Sequence, residues 1–140
     1  MSGEKILLAH GGGGRLTDEL IHNVILSAFG NSTLNKLTDA AELQTNQNNI
    51  CFTTDGFVVK PLFFNGGDIG KMSICGTIND LAVSGSKPIA LSMSLIIEEG
   101  LEIETLSKIL QSAAKTANEE NVKIVCGDTK VVEAGAADKL

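Results

Sequence analysis

The sequence predicts an α+β fold, a mixed β-sheet layer covered by helices, and three observations lead there. β-rich runs alternate with helical runs along the chain. Two of the helical runs are long, with apolar residues recurring at helical spacing. Two β-rich runs also follow one another mid-chain across Asp55-Gly56, which favours a mixed sheet over a wholly parallel one.

The elements follow in order. Ile6 to Ala9 is four apolar residues and reads as a short strand. His10 and the glycines Gly11, Gly12, Gly13 and Gly14 lead from it into a helix over Leu16 to Phe29, one side of which carries Leu16, Leu20, Val24 and Ala28. Gly30-Asn31-Ser32 stops that helix. Asn31 to Asn49 is polar and irregular, with an exposed loop over Gln44 to Asn49. Ile50 to Thr54 is β-rich, and Phe57-Val58-Val59 is a second such run. Asp55-Gly56 between them fits a tight hairpin turn.

The segment Gly66 to Val83 reads as one helix with two unlike faces, capped by Asp68. Ile74, Cys75, Ile78, Leu81 and Ala82 make its apolar stripe. Ser73, Gly76, Thr77 and Asp80 make a small, polar face, where a plain surface helix would carry long residues such as Lys and Glu. Something approaches that face closely. Gly85-Ser86-Lys87-Pro88 ends the helix, and Ile89 to Ile97 is a strand. Leu101 to Glu119 is an amphipathic helix with Ile103, Leu106, Leu110, Ala113, Ala114 and Ala117 on one face. Val122 to Cys126 reads as a buried strand with Gly127-Asp128-Thr129-Lys130 at its end.

Composition narrows the function classes. At 140 residues the chain is one domain, long enough to bury about two-thirds of its unfolded surface. It has no Trp and no Tyr, which argues against stacking of single-stranded nucleic acid. A formal charge of -6 argues against any polyanion held by bulk electrostatics, so no nucleic-acid partner is expected. Cys51, Cys75 and Cys126 are widely spaced, with no CxxC pair, and read as buried, reduced thiols of a cytoplasmic protein rather than a zinc site or disulfide framework. No apolar run reaches the length of a signal peptide core or membrane span, so no membrane association is expected.

Three segments carry chemistry. Consecutive glycines before a helix let backbone N–H groups reach an anion, so Gly11 to Gly14 are phosphate-contact candidates; a flexible turn is the other reading. Asp39, Asp55, Asp80 and Asp128 each stand near a Gly, a Thr or an element boundary. Hard oxygen ligands of this kind suit Mg²⁺ bridging phosphates, although Asp is also an ordinary turn and cap residue. Lys130, beside Asp128 and Thr129, can neutralise phosphate charge or move a proton; a solvated turn lysine is the alternative. His10 borders the glycine run and is a weaker ligand candidate.

Taken together, Ala9-His10-Gly11-Gly12-Gly13-Gly14, Thr53-Thr54-Asp55-Gly56-Phe57, Asn65-Gly66-Gly67-Asp68-Ile69-Gly70-Lys71, Cys75-Gly76-Thr77-Ile78-Asn79-Asp80 and Gly127-Asp128-Thr129-Lys130-Val131-Val132 closely resemble the N-terminal domain of the HypE family of hydrogenase expression/formation proteins. That family belongs to the superfamily of aminoimidazole ribonucleotide synthetase and selenophosphate synthetase, and the resemblance covers essentially residues 1–140.

The resemblance implies an N-terminal ATP-binding and dimerisation domain that pairs through its sheet into a homodimer. Such proteins use ATP and Mg²⁺ to dehydrate a carboxamide carried on their own C-terminal cysteine to a thiocyanate, the source of the cyanide ligands of [NiFe]-hydrogenase. It implies catalytic roles for Asp80 and Lys130, and nucleotide contacts from Gly11, Gly12, Gly13, Gly14, Asp55, Asn79, Asp128 and Thr129. It implies metal contacts from Asp39, Asp55 and Asp80; Thr38 stands where relatives often have a second acid. The partners it implies are a carbamoyltransferase and other hydrogenase maturation proteins. The family's second domain and cysteine-bearing tail are not in this sequence, so the chain alone is expected to lack complete activity. Two other readings stay open: a non-catalytic dimerisation or docking domain, and another ATP-dependent synthetase or kinase of the superfamily.

Overall fold

A computed structural model describes residues 5–46 and 49–140. A 3-10 turn at Leu8–Gly11 comes first, then a helical run made of α1 (Arg15–Leu20), a π turn (Ile21–Ile25) and α2 (Leu26–Phe29). A second 3-10 turn occupies Leu34–Lys36. There follow β1 (Ala41–Gln44), β2 (Asn49–Phe52), β3 (Phe63–Phe64), β4 (Gly67–Asp68), α3 (Ile69–Val83), β5 (Ala90–Glu98), α4 (Ile103–Glu119) and β6 (Lys123–Val132).

Both strand orientations occur, in separate pairs. β1–β2 and β3–β4 are antiparallel; β5–β6 is parallel, with α4 as the crossover that parallel strands require. The α+β class therefore holds, but the sheet is three two-stranded pieces rather than one layer.

α3 begins at Ile69 rather than at the predicted Gly66, because Gly67 and Asp68 pair as β4, but Asp68 caps it as expected. Asp68 stands in extended backbone and its Oδ1 accepts from the N–H of Lys71 at 3.0 Å, which satisfies one of the free N–H groups of the first turn. The helix buries Ile69, Gly70, Ile74, Ile78 and Leu81. Cys75 is only half-buried and Ala82 is exposed, so the buried stripe is narrower than predicted. Ile74 and Ile78 join Leu91 of β5, Ala113 and Ala117 of α4, and Val122 in one core, with Met93 packed against it. Ile74 retains 2% exposure; burying a side chain of its size stabilises the fold by about 1.5–3 kcal/mol. α3 and α4 touch closely at one point, because a Cβ on Gly70 would stand 2.3 Å from the carbonyl oxygen of Ile109.

Several expectations are corrected. Ile6 to Ala9 forms no strand; the chain turns at Leu8–Gly11, and Ile6 and Leu7 are 71% and 59% exposed, with no neighbouring strand to pair with. The irregular stretch contains β1, whose antiparallel pairing is with β2, and no hairpin forms at Asp55-Gly56. Phe57-Val58-Val59 is not a strand: it has no ladder partner, Phe57 packs on Gly76 and Val58 is exposed. The loop expected over 44–49 lies partly outside the described residues, at Gln47 and Asn48. β6 runs straight through Gly127-Asp128-Thr129-Lys130, which is mid-strand in register with Met93, Ser94, Leu95 and Ile96. β6 is exposed along nearly its whole length, and Cys126 with it, because it stands at the margin of a two-stranded sheet. On α4 the buried arc is Ile109, Ala113, Thr116 and Ala117, while Ile103 (85% exposed) and Ala114 point to solvent.

Candidate functional site

The small face of α3 is covered by the chain's own segment 53–57. The hydroxyl of Thr53 lies 3.2 Å from Asp80 Oδ2 and 2.8 Å from the backbone oxygen of Asp39, and its single O–H proton is shared between these two acceptors, with the shorter contact to Asp39. One helical turn earlier, the ring of Phe57 sits over Gly76: a Cβ there would meet Phe57 Cε1 and Cζ at 2.6 Å and Asp55 Oδ2 at 3.9 Å. Residues 53 to 57 thus run antiparallel to α3, and Asp55 comes down between the two contacts. Gly76 and Asp80 are four residues apart, so both lie on one helix face.

Electrostatics agree with this geometry. The Asp55 carboxyl is raised above its ordinary value, first by its partial burial and then by the negative charge of Asp80. Two like charges are therefore brought close. Carboxylate, hydroxyl and backbone carbonyl oxygens form a hard donor set, the chemistry that suits Mg²⁺. Among the described residues no three His, Cys, Asp or Glu side chains converge as a complete metal cage, so this set fits a cation only if the ion brings further oxygen ligands, as Mg²⁺ commonly does with water and phosphate.

The remaining predicted residues are placed apart or paired otherwise. The backbone of Asp39 reaches Thr53, while the residue itself is exposed. Asn79 is exposed beside Asp80. Asp128 and Lys130 are held by each other, with Lys130 Nζ 2.9 Å from Asp128 Oδ1 on one face of β6, and Thr129 lies on the opposite face. Gly127 has its own reason: a Cβ would stand 2.2 Å from the carbonyl oxygen of Met93 across the ladder. Gly11 to Gly14 are exposed and uncrowded; Gly13 has φ +73° and its N–H donates to Thr17 Oγ1 at 2.9 Å. Nδ1 of His10 turns back on Leu7, 3.0 Å from its backbone N.

Asp55 also opens onto a cleft of about 640 Å³ between α3, α4, β5 and residues 136–140, lined by Ser73, Thr77, Leu95 and Asp138 among others. Of the residues predicted for the site, Asp55 alone lines it. Thr53 and Phe57 were not picked out from the sequence as site residues. The small face of α3 was the available signal, since a closely seated ring needs a glycine beneath it. Among the described residues no helix is long and apolar enough to cross a membrane.

Comparison with known proteins gives the chain its relatives. Residues 37–140 match the family model of the AIR synthase related protein, N-terminal domain. The chain is 49% identical over 140 residues to carbamoyl dehydratase HypE of Escherichia coli (strain K12), covering 96% of this chain and 42% of that protein. It is similar to a chain of the crystal structure of a HypE–HypF complex, with a TM-score of 0.79 and 52% identity, covering 86% of this chain and 38% of the other. It is also similar to hydrogenase maturation protein HypE in complex with ATP, with a TM-score of 0.64 and 44% identity over 96% of this chain and 40% of the other. The chain spans about two-fifths of the length of the curated relatives it matches.

Proposed function

The chain belongs to the AIR synthase related family, as an N-terminal domain of that family, and we infer from this and from the Asp55–Thr53–Asp80 arrangement that it is the ATP-binding half of a hydrogenase maturation dehydratase. The reaction is ATP-dependent removal of water from a cysteine S-carboxamide. The amide oxygen leaves on phosphorus as phosphate, two N–H protons are lost, and a carbon–nitrogen triple bond forms as thiocyanate.

The observation that carries the reading is the meeting of Asp55 and Asp80 in a chain half identical to HypE proteins, one of which is described in complex with ATP. Asp55 and Asp80, with the Asp39 segment, would hold Mg²⁺, which neutralises phosphate charge when bound. Gly11 to Gly14 and Thr129 offer backbone or hydroxyl donors for phosphate, and Asn79 an amide beside Asp80. Lys130, with Asp128 as its ion-pair partner, is the proton-handling candidate, and Asp80 shares that role. The exposed strand β6 and its apolar residues Val125 and Val131 support pairing of two copies through this sheet. The similarity to a HypE–HypF complex supports a carbamoyltransferase partner, and a cytoplasmic location follows from that role.

Calorimetric titration of ATP with and without Mg²⁺ tests the reading. Mg²⁺-dependent binding that is lost in Asp55→Asn and Asp80→Asn supports it. A tight dimer that binds no nucleotide would overturn it in favour of a docking domain.

A further inference from the structure

We propose that Gly76 is a positioning residue: by seating the ring of Phe57 it fixes Asp55 opposite Asp80. This rests on the reading of Asp55 and Asp80 as the Mg²⁺–ATP carboxylates. Residues 53–60 have no ladder hydrogen bonds to hold them, so side-chain anchors must. Thr53 supplies one at Asp80 and Phe57 a second at Gly76, on either side of Asp55, while Lys60 ties the far end of the segment to Asp138. Asp55 lies between them in sequence, so both anchors decide where its carboxylate stands.

The second anchor leaves no room for a side chain. A methyl group on Gly76 would fall 2.6 Å from two ring carbons of Phe57, so the ring must shift off α3, while Asp55 Oδ2 at 3.9 Å is only in ordinary contact and is moved through the backbone it shares with Phe57. Helix propensity alone favours alanine over glycine at a mid-helix position, so helix stability does not require the glycine. The half-buried ring of Phe57 gives it a reason. Leucine at 57 lacks the ring atoms that collide, which provides a compensating change.

The test uses this chain in three forms: Gly76→Ala, Phe57→Leu and the double variant. Affinity for ATP is measured with Mg²⁺ and with EDTA, and the separation of the Asp55 and Asp80 carboxylates is read from crystal structures of the nucleotide-free variants. Gly76→Ala is expected to weaken Mg²⁺-dependent ATP binding about tenfold, roughly the effect of 1.4 kcal/mol, with little change in EDTA, and to widen the carboxylate separation. The double variant is expected to regain most of the affinity and to close the separation. Gly76→Ala with unchanged separation, or a double variant no better than Gly76→Ala, would overturn the proposal. Failure of the unaltered chain to bind Mg²⁺–ATP would overturn the functional reading instead, while the carboxylate separation still decides the role of Gly76.

Discussion

Thr53 and Asp80, 27 residues apart in sequence, meet at 3.2 Å through the threonine hydroxyl, which also reaches the backbone of Asp39 at 2.8 Å. One side chain therefore links the segment before β1, the residue after β2 and the fourth turn of α3. Thr53→Val keeps the shape and removes the donor. A hydrogen bond to a charged group is worth about 1.5–3 kcal/mol, so Mg²⁺–ATP affinity is expected to fall at least about tenfold. Thr53→Ser keeps the hydroxyl and is expected to bind nearly normally. Equal loss in both variants, read by calorimetry, would assign the effect to the threonine methyl group instead.

Gly70 marks the contact of α3 with α4. A Cβ there would stand 2.3 Å from the Ile109 carbonyl oxygen and 2.9 Å from Asp68 Oδ1, and the nearer atom is backbone that cannot swing aside. Gly70→Ala is expected to destabilise the fold by about 1–3 kcal/mol, a fall in Tm of several degrees. A variant melting at or above the temperature of the unaltered chain would show that the helices separate without cost.

Asp55 should trade stability for function. Its folded-state carboxyl is raised, so the fold holds that proton more tightly than the unfolded chain does. The associated stability is full below the ordinary Asp range and is lost as pH rises through the raised folded value. Asp55→Asn removes this cost, and the nucleotide-free variant is expected to melt higher at pH 7 while losing Mg²⁺-dependent ATP binding. A lower Tm for Asp55→Asn than for the unaltered chain at pH 7, in thermal melts taken from below the ordinary Asp value of about 4 up to pH 7, would contradict the assigned cause.

Glu98 behaves in the opposite sense. Its enclosed carboxylate accepts from Lys139 Nζ at 2.8 Å and from the N–H of Ala137 at 3.3 Å, tying the C-terminal residues to the end of β5. The Lys139 hydrogen bond is the main reason its carboxyl is lowered, with the Lys139 charge and backbone N–H groups adding to it against the opposing effect of burial. The stability it contributes is present above the ordinary Glu value and is lost as pH falls through the lowered folded value. Urea midpoints should drop less steeply below about pH 4.5 in Glu98→Gln than in the unaltered chain. Parallel curves would remove Glu98 from the acid response.

How far the site could be read from the sequence depended on how local each cause is. The Asp68 cap, the α3 core residues Ile74 and Ile78, and the α4 arc through Ala113 and Ala117 all follow from spacing within one element. β1 was missed because Ala41-Glu42-Leu43-Gln44 has no strong strand pattern of its own; pairing with Asn49–Phe52 makes it a strand. The run Phe57-Val58-Val59 failed the other way, with β-rich residues but no partner. Lys130 and Asp128 were legible as site candidates at a strand end but not as mid-strand, mutually paired neighbours, since strand length depends on the register with β5.

By itself the sequence determined the α+β class, the helical segments α3 and α4 with the Asp68 cap, the family, and the acids Asp55 and Asp80 as site candidates. Only the tertiary structure decided that Phe57 is what lies on Gly76, that Thr53 holds Asp80, and that the glycine run keeps its hydrogen bonds local. The physical reason is range. Caps and stripes arise from neighbours within a turn, whereas the meeting of residue 53 with 80, and of 57 with 76, follows from where a ladder-free segment comes to rest on a helix.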